Sequence, residues 1–334
     1  MGEIIPNHDF DHVIELIENA RTQAYRAVNT ALIDLYWDVG KYLSLQTATR
    51  EWGTGIVENL ATYIRTYDPA IRGFSAQNLW RMKQFYETYK DSEKLSSQLR
   101  ELPWSGNLII MARAKTNEEI EFYLRLAVQE KYSVRELERQ MDSGYYERAM
   151  MAKQKLPTPL RELHPSLPQI FRDTYVLDFL KLPEVHSEKQ LQQAIVANLK
   201  QFLLEAGRDM SFIGQEYRLQ VGKNDHFVDL LFYHRGLSCL VAFELKIDDF
   251  KPEYLGKMQF YLEVLDRQVK KEHENPSVGI ILCKTKDEEV VEVAMSRSMS
   301  PALVAEYRTK LMDKSILQDK LRELFALAEA RSEE

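Results

Sequence analysis

Cysteine is almost absent: Cys239 and Cys283 are the only two in 334 residues, and each sits inside an apolar run. That excludes a disulfide framework and a four-cysteine zinc site, and it predicts two free, buried thiols. Long apolar runs are missing as well. No stretch approaches the ~18 residues of a membrane-spanning helix, and the opening MGEIIPNHDFDH has no basic lead followed by an apolar segment. The expectation is a cytoplasmic protein with no membrane attachment. A basic surplus is the third absence. With 44 Lys and Arg against 51 Asp and Glu, the net charge of −7 argues against a global positive field that would grip nucleic acid. Residues 1–150 carry 18 basic and 22 acidic side chains and residues 151–334 carry 26 and 29, so any such grip must be local. Two segments could supply it. Residues 148–161 hold Arg148, Lys153, Lys155 and Arg161 with no acid, and residues 61–100 hold seven basic against four acidic side chains.

What is present is the composition of a soluble globular protein, 45% hydrophobic and 28% charged, in a chain long enough for two domains. The first part reads as helix throughout. Ile14, Ile17, Ala20, Tyr25, Val28, Leu32 and Tyr36 recur at three- and four-residue steps between Val13 and Tyr42. A second helix fits Gly55 to Tyr67, and a third starts after a Ser75 N-cap and runs to about Tyr89. Thr116 with Glu119, and Ser133 with Glu136, are capping boxes that open two more. Helices 55–67 and 75–89 could form a helix-turn-helix, with room for a winged variant, in which Gln77, Asn78, Arg81 and Gln84 face a groove. The alternative is the polar face of a small bundle. Pro157, Pro159, Pro165 and Pro168 then crowd a short segment, which predicts a linker at 153–168 between a helical domain at 1–152 and a second domain at 169–334.

In that second domain Ser187 and Gln190 open a helix to about Ala206, closed by Gly207. Strand-like runs follow at 212–221, 226–233 and 238–246, then a helix at 252–266, a strand at 278–283, a helix at 287–295, a strand at 302–307 and a helix at 315–330. The overall expectation is an α+β chain: an all-α N-terminal domain and an α/β C-terminal domain around a mixed sheet. The densest chemistry lies on two of the strands. Alternation puts Glu244 and Lys246 on one face of their strand, and the preceding hairpin brings Asp229 onto the neighbouring one. Two converging carboxylates, with the Leu245 carbonyl and waters, suit Mg²⁺ or Mn²⁺, and Lys246 beside them could orient or deprotonate a water or stabilise developing charge. Phosphodiester hydrolysis is the reaction this implies. A strand-edge Asp beside a surface Glu–Lys pair is the competing reading. Glu188, at the start of the inward stripe of the Ser187 helix, could add a third acid or simply favour the helix dipole. Gln259 could hold a phosphate or a metal-bound water, or be one polar residue of an amphipathic helix. A zinc set of His226, Asp229 and His234 is disfavoured because the two imidazoles stand at opposite ends of one strand.

The segments GQEYRLQVGKNDHFVDLLFYHRGLSCLVAFELK, FKPEYLGKMQFYLEVLD and ENPSVGIILCKTKDEEVVEVAM resemble the YhcG family of bacterial nuclease-like proteins within the PD-(D/E)XK superfamily. GFSAQNLWRMKQFYETY, LPWSGNLIIMARA and YSVRELERQMDSGYYERAM resemble the helical N-terminal region of the same family, so the likeness spans nearly the whole chain. It implies a restriction-endonuclease-like C-terminal domain, a metal-dependent endonuclease acting on DNA, Asp229, Glu244 and Lys246 as the metal-and-catalysis set, and Glu188 as the helix acid. Gln192 stands where family members often have glutamate, and Val228 where the superfamily has proline. The functional alternatives are a non-catalytic nucleic-acid-binding scaffold and a structure-specific RNA nuclease. Cutting both strands of a duplex is simplest for a homodimer, for which Trp37, Tyr42 and Trp52 offer either an interface or the core of the helical domain.

Overall fold

The computed structural model describes residues 8–49, 55–92, 95–152, 170–207, 209–296, 298 and 301–332. The chain divides into two compact units, Met1–Met141 and Asp142–Glu334. The expected linker, 153–168, lies outside the described residues. No helix among the described residues is long and apolar enough to cross a membrane.

The first unit is built from α1 (His8–Thr49), α2 (Gly55–Tyr67), α3 (Ala76–Tyr89), α4 (Ser96–Glu101), α5 (Trp104–Arg113), α6 (Asn117–Gln129) and α7 (Val134–Asp142). Among its described residues there is no strand, so the helical domain has no wing there. Side chains set the helix starts. The Ser75 hydroxyl accepts from the Asn78 N–H, the Thr116 hydroxyl from the Glu119 N–H, and Ser133 and Glu136 exchange both bonds of a capping box. Tyr36 and Leu43 of α1 pack with Leu79 and Met82 of α3. Gly40 permits this approach, since a side-chain carbon there would collide with the Met82 carbonyl. Trp37 packs edge-on against Phe85 and Tyr86, and so belongs to the core of the helical unit rather than to an open interface. Tyr42 is exposed, and Trp52 lies outside the described residues.

The second compact unit takes in residues upstream of the expected linker. It includes α8 (Tyr145–Met151), entered through Gly144 at a φ of 62° and packed against the closing helix, α13 (Lys314–Ser332). Then come β1 (Thr174–Val176), α9 (Glu188–Ala197), α10 (Leu199–Ala206), β2 (Met210–Val221), β3 (Asn224–His234), β4 (Cys239–Leu245), α11 (Glu253–Gln268), β5 (Val278–Cys283), α12 (Glu288–Met295) and β6 (Ala302–Arg308). The six strands form one sheet in the order β1-β6-β5-β4-β3-β2. The hairpin-linked pairs are antiparallel and β4-β5-β6 parallel, as the connections predict. Leu191, Ile195 and Phe202 cover one face against Phe232, Val241 and Phe243. On the other, Leu255, Met258, Leu262 and Leu265 of α11 pack on Leu231, Ala242 and Ile281. The single helix expected over 187–206 is two, because Asn198, at φ −116° and ψ 35°, interrupts it and bonds its side-chain amide to the Ala194 carbonyl. Cys239 and Cys283 are buried and free.

Candidate active site

The β3–β4 ladder runs from His234 opposite Cys239 to Leu230 opposite Phe243 and stops there. Asp229 comes one residue before Leu230 and Glu244 one after Phe243, so the two acids stand where the strands part. The Asp229 side chain takes over the next bond of the ladder: its Oδ2 accepts the Leu245 N–H at 2.7 Å. The Asp229 carbonyl accepts from Gln192 Nε2 of α9 at 2.8 Å. Gln192 thus ties the backbone of β3 to the helix, where a glutamate could not donate.

Glu244 is fully buried. Its Oε1 pairs with Lys246 Nζ at 3.0 Å and with Lys257 Nζ of α11 at 2.5 Å, while its Oε2 is buried with no hydrogen-bond partner among the described residues. Lys246 Nζ also donates to both carboxylate oxygens of Glu188, each at 3.1 Å, and to the Leu245 carbonyl at 2.9 Å. Its ammonium lies 5.4 Å from the centre of the Tyr254 ring, whose hydroxyl donates to Asp248. The site is therefore three carboxylates on α9, β3 and β4 facing two ammonium groups, one just after β4 and one on α11.

Burial, and then the Glu244 charge, push the Asp229 carboxyl up to about 6, against the pull of the Leu245 N–H and the two lysines. For Lys246 burial works against the charge, but the Glu244 and Glu188 carboxylates outweigh it and hold the ammonium above the ordinary lysine range. Lys257 is raised as well, with burial opposing and Glu244 prevailing. A depressed lysine that takes a proton from water, one of the roles expected of Lys246, does not match this environment. A protonated Lys246 donates hydrogen bonds and offsets negative charge.

Asp229, Glu244, Lys246 and Glu188 come together as the sequence suggests. The Leu245 carbonyl, expected as a metal ligand, is engaged by Lys246 Nζ. Among the described residues no three His, Cys, Asp or Glu side chains form a metal-binding group. The donor set nevertheless fits a hard divalent ion of the kind held by one or two carboxylates, water and substrate oxygens: among the described residues Glu244 Oε2 has no partner, and Asp229 uses only Oδ2 in a hydrogen bond. Gln259 is exposed, and its side chain makes no hydrogen bond among the described residues. It lies two residues from Lys257, about 200° around the helix. Tyr254, Lys257 and Tyr261, spaced by three and four residues, form the face of α11 turned to the acids, and that periodicity was the available signal for Lys257. His234 is buried with Nδ1 taking the Leu237 N–H, and His226 packs on Phe260, so the two do not share a zinc site.

The polar face proposed for α3 is reduced by one. Gln77, Arg81 and Gln84 are exposed, but Asn78 donates to the Gly73 carbonyl at 2.5 Å and accepts from the Trp104 indole at 2.9 Å. Lys153 and Lys155 lie outside the described residues. Arg148 is buried, bonded to the Thr174 carbonyl at 2.7 Å and paired with Glu205, which excludes it from a solvent-facing basic patch.

A family model described as the YhcG PDDEXK nuclease domain matches residues 168–322, and one described as the DUF1016 N-terminal domain matches residues 12–148. "Putative nuclease YhcG" of Escherichia coli (strain K12) is 29% identical over 348 residues, covering 93% of this chain and 92% of that protein. Two solved structures align with part of the chain. A repair endonuclease from Pyrococcus abyssi is 17% identical over 38% of this chain and 49% of its own, with a TM-score of 0.25. EndoMS in apo form is 13% identical over 39% and 49%, also at 0.25, and at such scores neither adds to the fold described above. The two domain matches follow one another along the chain, one on the helical unit and one on the sheet that carries Asp229, Glu244 and Lys246, and the chain belongs to the YhcG/DUF1016 family, with a DUF1016 N-terminal domain and a PDDEXK nuclease domain after it.

Proposed function

We propose that this protein is a divalent-metal-dependent endonuclease that hydrolyses phosphodiester bonds in DNA at the Asp229, Glu244 and Lys246 cluster. The observation that carries the reading is Glu244, a fully buried carboxylate held between two ammonium groups with one oxygen left without a partner among the described residues. Burying a charge with an unmet lone pair costs several kcal/mol, on the order of the penalty for an imperfectly paired ion, and a sheet has no structural need of it. Asp229 and Glu244 are the groups that would hold Mg²⁺ or Mn²⁺. Such an ion supplies polarisation of a phosphoryl oxygen and a bound water of lowered pKa.

The chain's own groups define the rest of the chemistry. Lys246 is protonated and can donate to a non-bridging phosphate oxygen, offsetting the charge that builds there. Glu188 holds that ammonium from the helix side and acts as its positioning residue. Lys257 is half exposed, bonds Glu244 and offers a second positive group on the α11 side. Gln192 fixes the Asp229 backbone. The exposed Gln77, Arg81 and Gln84 are the nucleic-acid-facing residues of the helical unit in this reading.

Purified protein incubated with Mg²⁺ or Mn²⁺ and labelled linear, branched and single-stranded DNA and RNA tests the proposal. DNA is expected to be cut internally with metal and left intact in EDTA or by Glu244→Gln. Undiminished cutting by Glu244→Gln, or no cutting of any DNA with either ion, would overturn it. Cutting confined to RNA would replace the substrate while keeping the site.

A further inference from the structure

The long first helix carries a second apolar stripe that nothing among the described residues covers. Its inner stripe, Ile33, Tyr36, Gly40 and Leu43, is buried in the helical core. On the other side, alternate steps of four and three residues from Phe10 to Leu45 define eleven positions, all exposed. Nine of them are apolar or tyrosine, and the other two are Arg21 and Asp38, neither with an ion pair among the described residues. Every residue from Phe10 to Val28 is exposed. Most helical stability in proteins comes from packing of an apolar face rather than from propensity, so this half gains from a packing partner. Alternating three- and four-residue steps are the heptad spacing of a coiled coil.

We propose that this stripe pairs, antiparallel, with the same stripe of a second copy of the chain about a twofold axis passing between Asn29 and Thr30. In that register every stripe position from Ile14 to Leu45 meets another. Ile14 lies opposite Leu45, Ile17 opposite Tyr42, Ala24 opposite Leu35 and Val28 opposite Ala31, so small residues face large ones in the central layers. The stripe's two charges meet as well: Arg21 of each copy faces Asp38 of the other. A parallel, in-register pair would instead set Arg21 against Arg21 and Asp38 against Asp38, which disfavours it. Asp38 and Tyr42 also line a cleft with Leu60, Ile64 and Phe74, so the arriving Ile17 and Arg21 meet a concave surface. Paired from Ile14 to Leu45, the two helices share a seam of about 48 Å, or about four and a half heptads.

Light scattering of the full chain at micromolar concentration is expected to give a particle of twice 39.1 kDa. Arg21→Asp alone, or Asp38→Arg alone, places like charges in two layers and is expected to weaken dimerisation at least about tenfold, while the double variant Arg21→Asp/Asp38→Arg regains it. Both positions are exposed, and circular dichroism verifies that each variant keeps its helix content. Orientation is read by mixing Ala24→Cys protein with Leu35→Cys protein under mild oxidation: a disulfide-linked dimer is expected in the mixture and not in either sample alone. The native thiols do not interfere, since Cys239 and Cys283 are buried. A 39.1 kDa particle would overturn the proposal and assign the stripe to a different protein. A dimer indifferent to the single charge reversals, or cross-linking of either cysteine variant with itself, would overturn it too.

Discussion

Asp229 and Glu244 lie in one site, yet their surroundings predict opposite effects on stability. The Asp229 carboxyl is pushed from 3.8 up to about 6, so the folded, metal-free chain binds its proton more tightly than the unfolded chain does. Stability from that proton is present below 3.8 and is lost as pH rises through about 6. At neutral pH the ionised group therefore costs on the order of 3 kcal/mol. Asp229→Asn keeps an oxygen for the Leu245 N–H and removes the charge. In EDTA it should melt several degrees above wild type near pH 7.5 and level with it near pH 4. Glu244→Gln should melt below wild type near pH 7.5, because two ammonium groups lose the negative charge they share, at a cost of about 1–3 kcal/mol. A lower melting point for both variants would mean that Asp229 is not held against repulsion. Gln192 makes a separate prediction. Gln192→Ala frees the Asp229 carbonyl without touching the substrate, so kcat should fall about tenfold with KM little changed. Steady-state kinetics showing the reverse split would assign Gln192 to substrate binding.

Elements with a clear period were legible in the sequence, and those fixed by a single contact were not. The five longer strands carry unbroken apolar or alternating runs, and their connections dictate which pairs are parallel. β1 has three residues, too few to display a period, and it is held by pairing with β6 and by Glu205 receiving the Val176 N–H. The carboxylates and Lys246 were legible because strand alternation fixes their faces. Residue type singles out Gln259, whereas Lys257 is reached only through its position on the helix, between Tyr254 and Tyr261. The attachment of α8 to the second unit also rests on specific contacts. Arg148 bonds the Ser143 and Thr174 carbonyls and approaches Glu205, while Glu147 accepts from Gln318 of α13. Composition shows only a basic run there. A fragment beginning at Asp142 should accordingly fold as an independent nuclease unit. One beginning at Lys153 loses α8 and with it the Arg148 partner of Glu205, while the Arg172 pair at 2.8 Å is kept. Differential scanning calorimetry should place the shorter fragment at least about 5 °C lower, and equal melting would return the boundary to the proline-rich segment.

At the scale of the whole molecule the net charge of −7 sets how nucleic acid can be held. Long-range attraction is weak, so binding rests on a few local cations, each releasing counterions from the phosphates it meets. The plot of log affinity against log salt should then have a shallow slope, and single cations should be countable in it. Arg81 is exposed on α3 between Gln77 and Gln84, one helical turn from each, where an arginine meets phosphate and its neighbours meet base edges. Arg81→Ala is expected to reduce the slope by about 0.9, the contribution of one phosphate contact, whereas Gln77→Ala and Gln84→Ala should leave the slope alone and alter sequence preference. Lys246 contributes differently, since it is buried and bonded to Glu188 and Glu244. Lys246→Ala should therefore abolish cleavage while binding measured by fluorescence anisotropy in Ca²⁺ stays within about threefold, because one interior ammonium is a small share of the contacts that hold the strand. A slope unchanged in Arg81→Ala, together with binding lost in Lys246→Ala, would place the grip on nucleic acid in the nuclease unit rather than on α3.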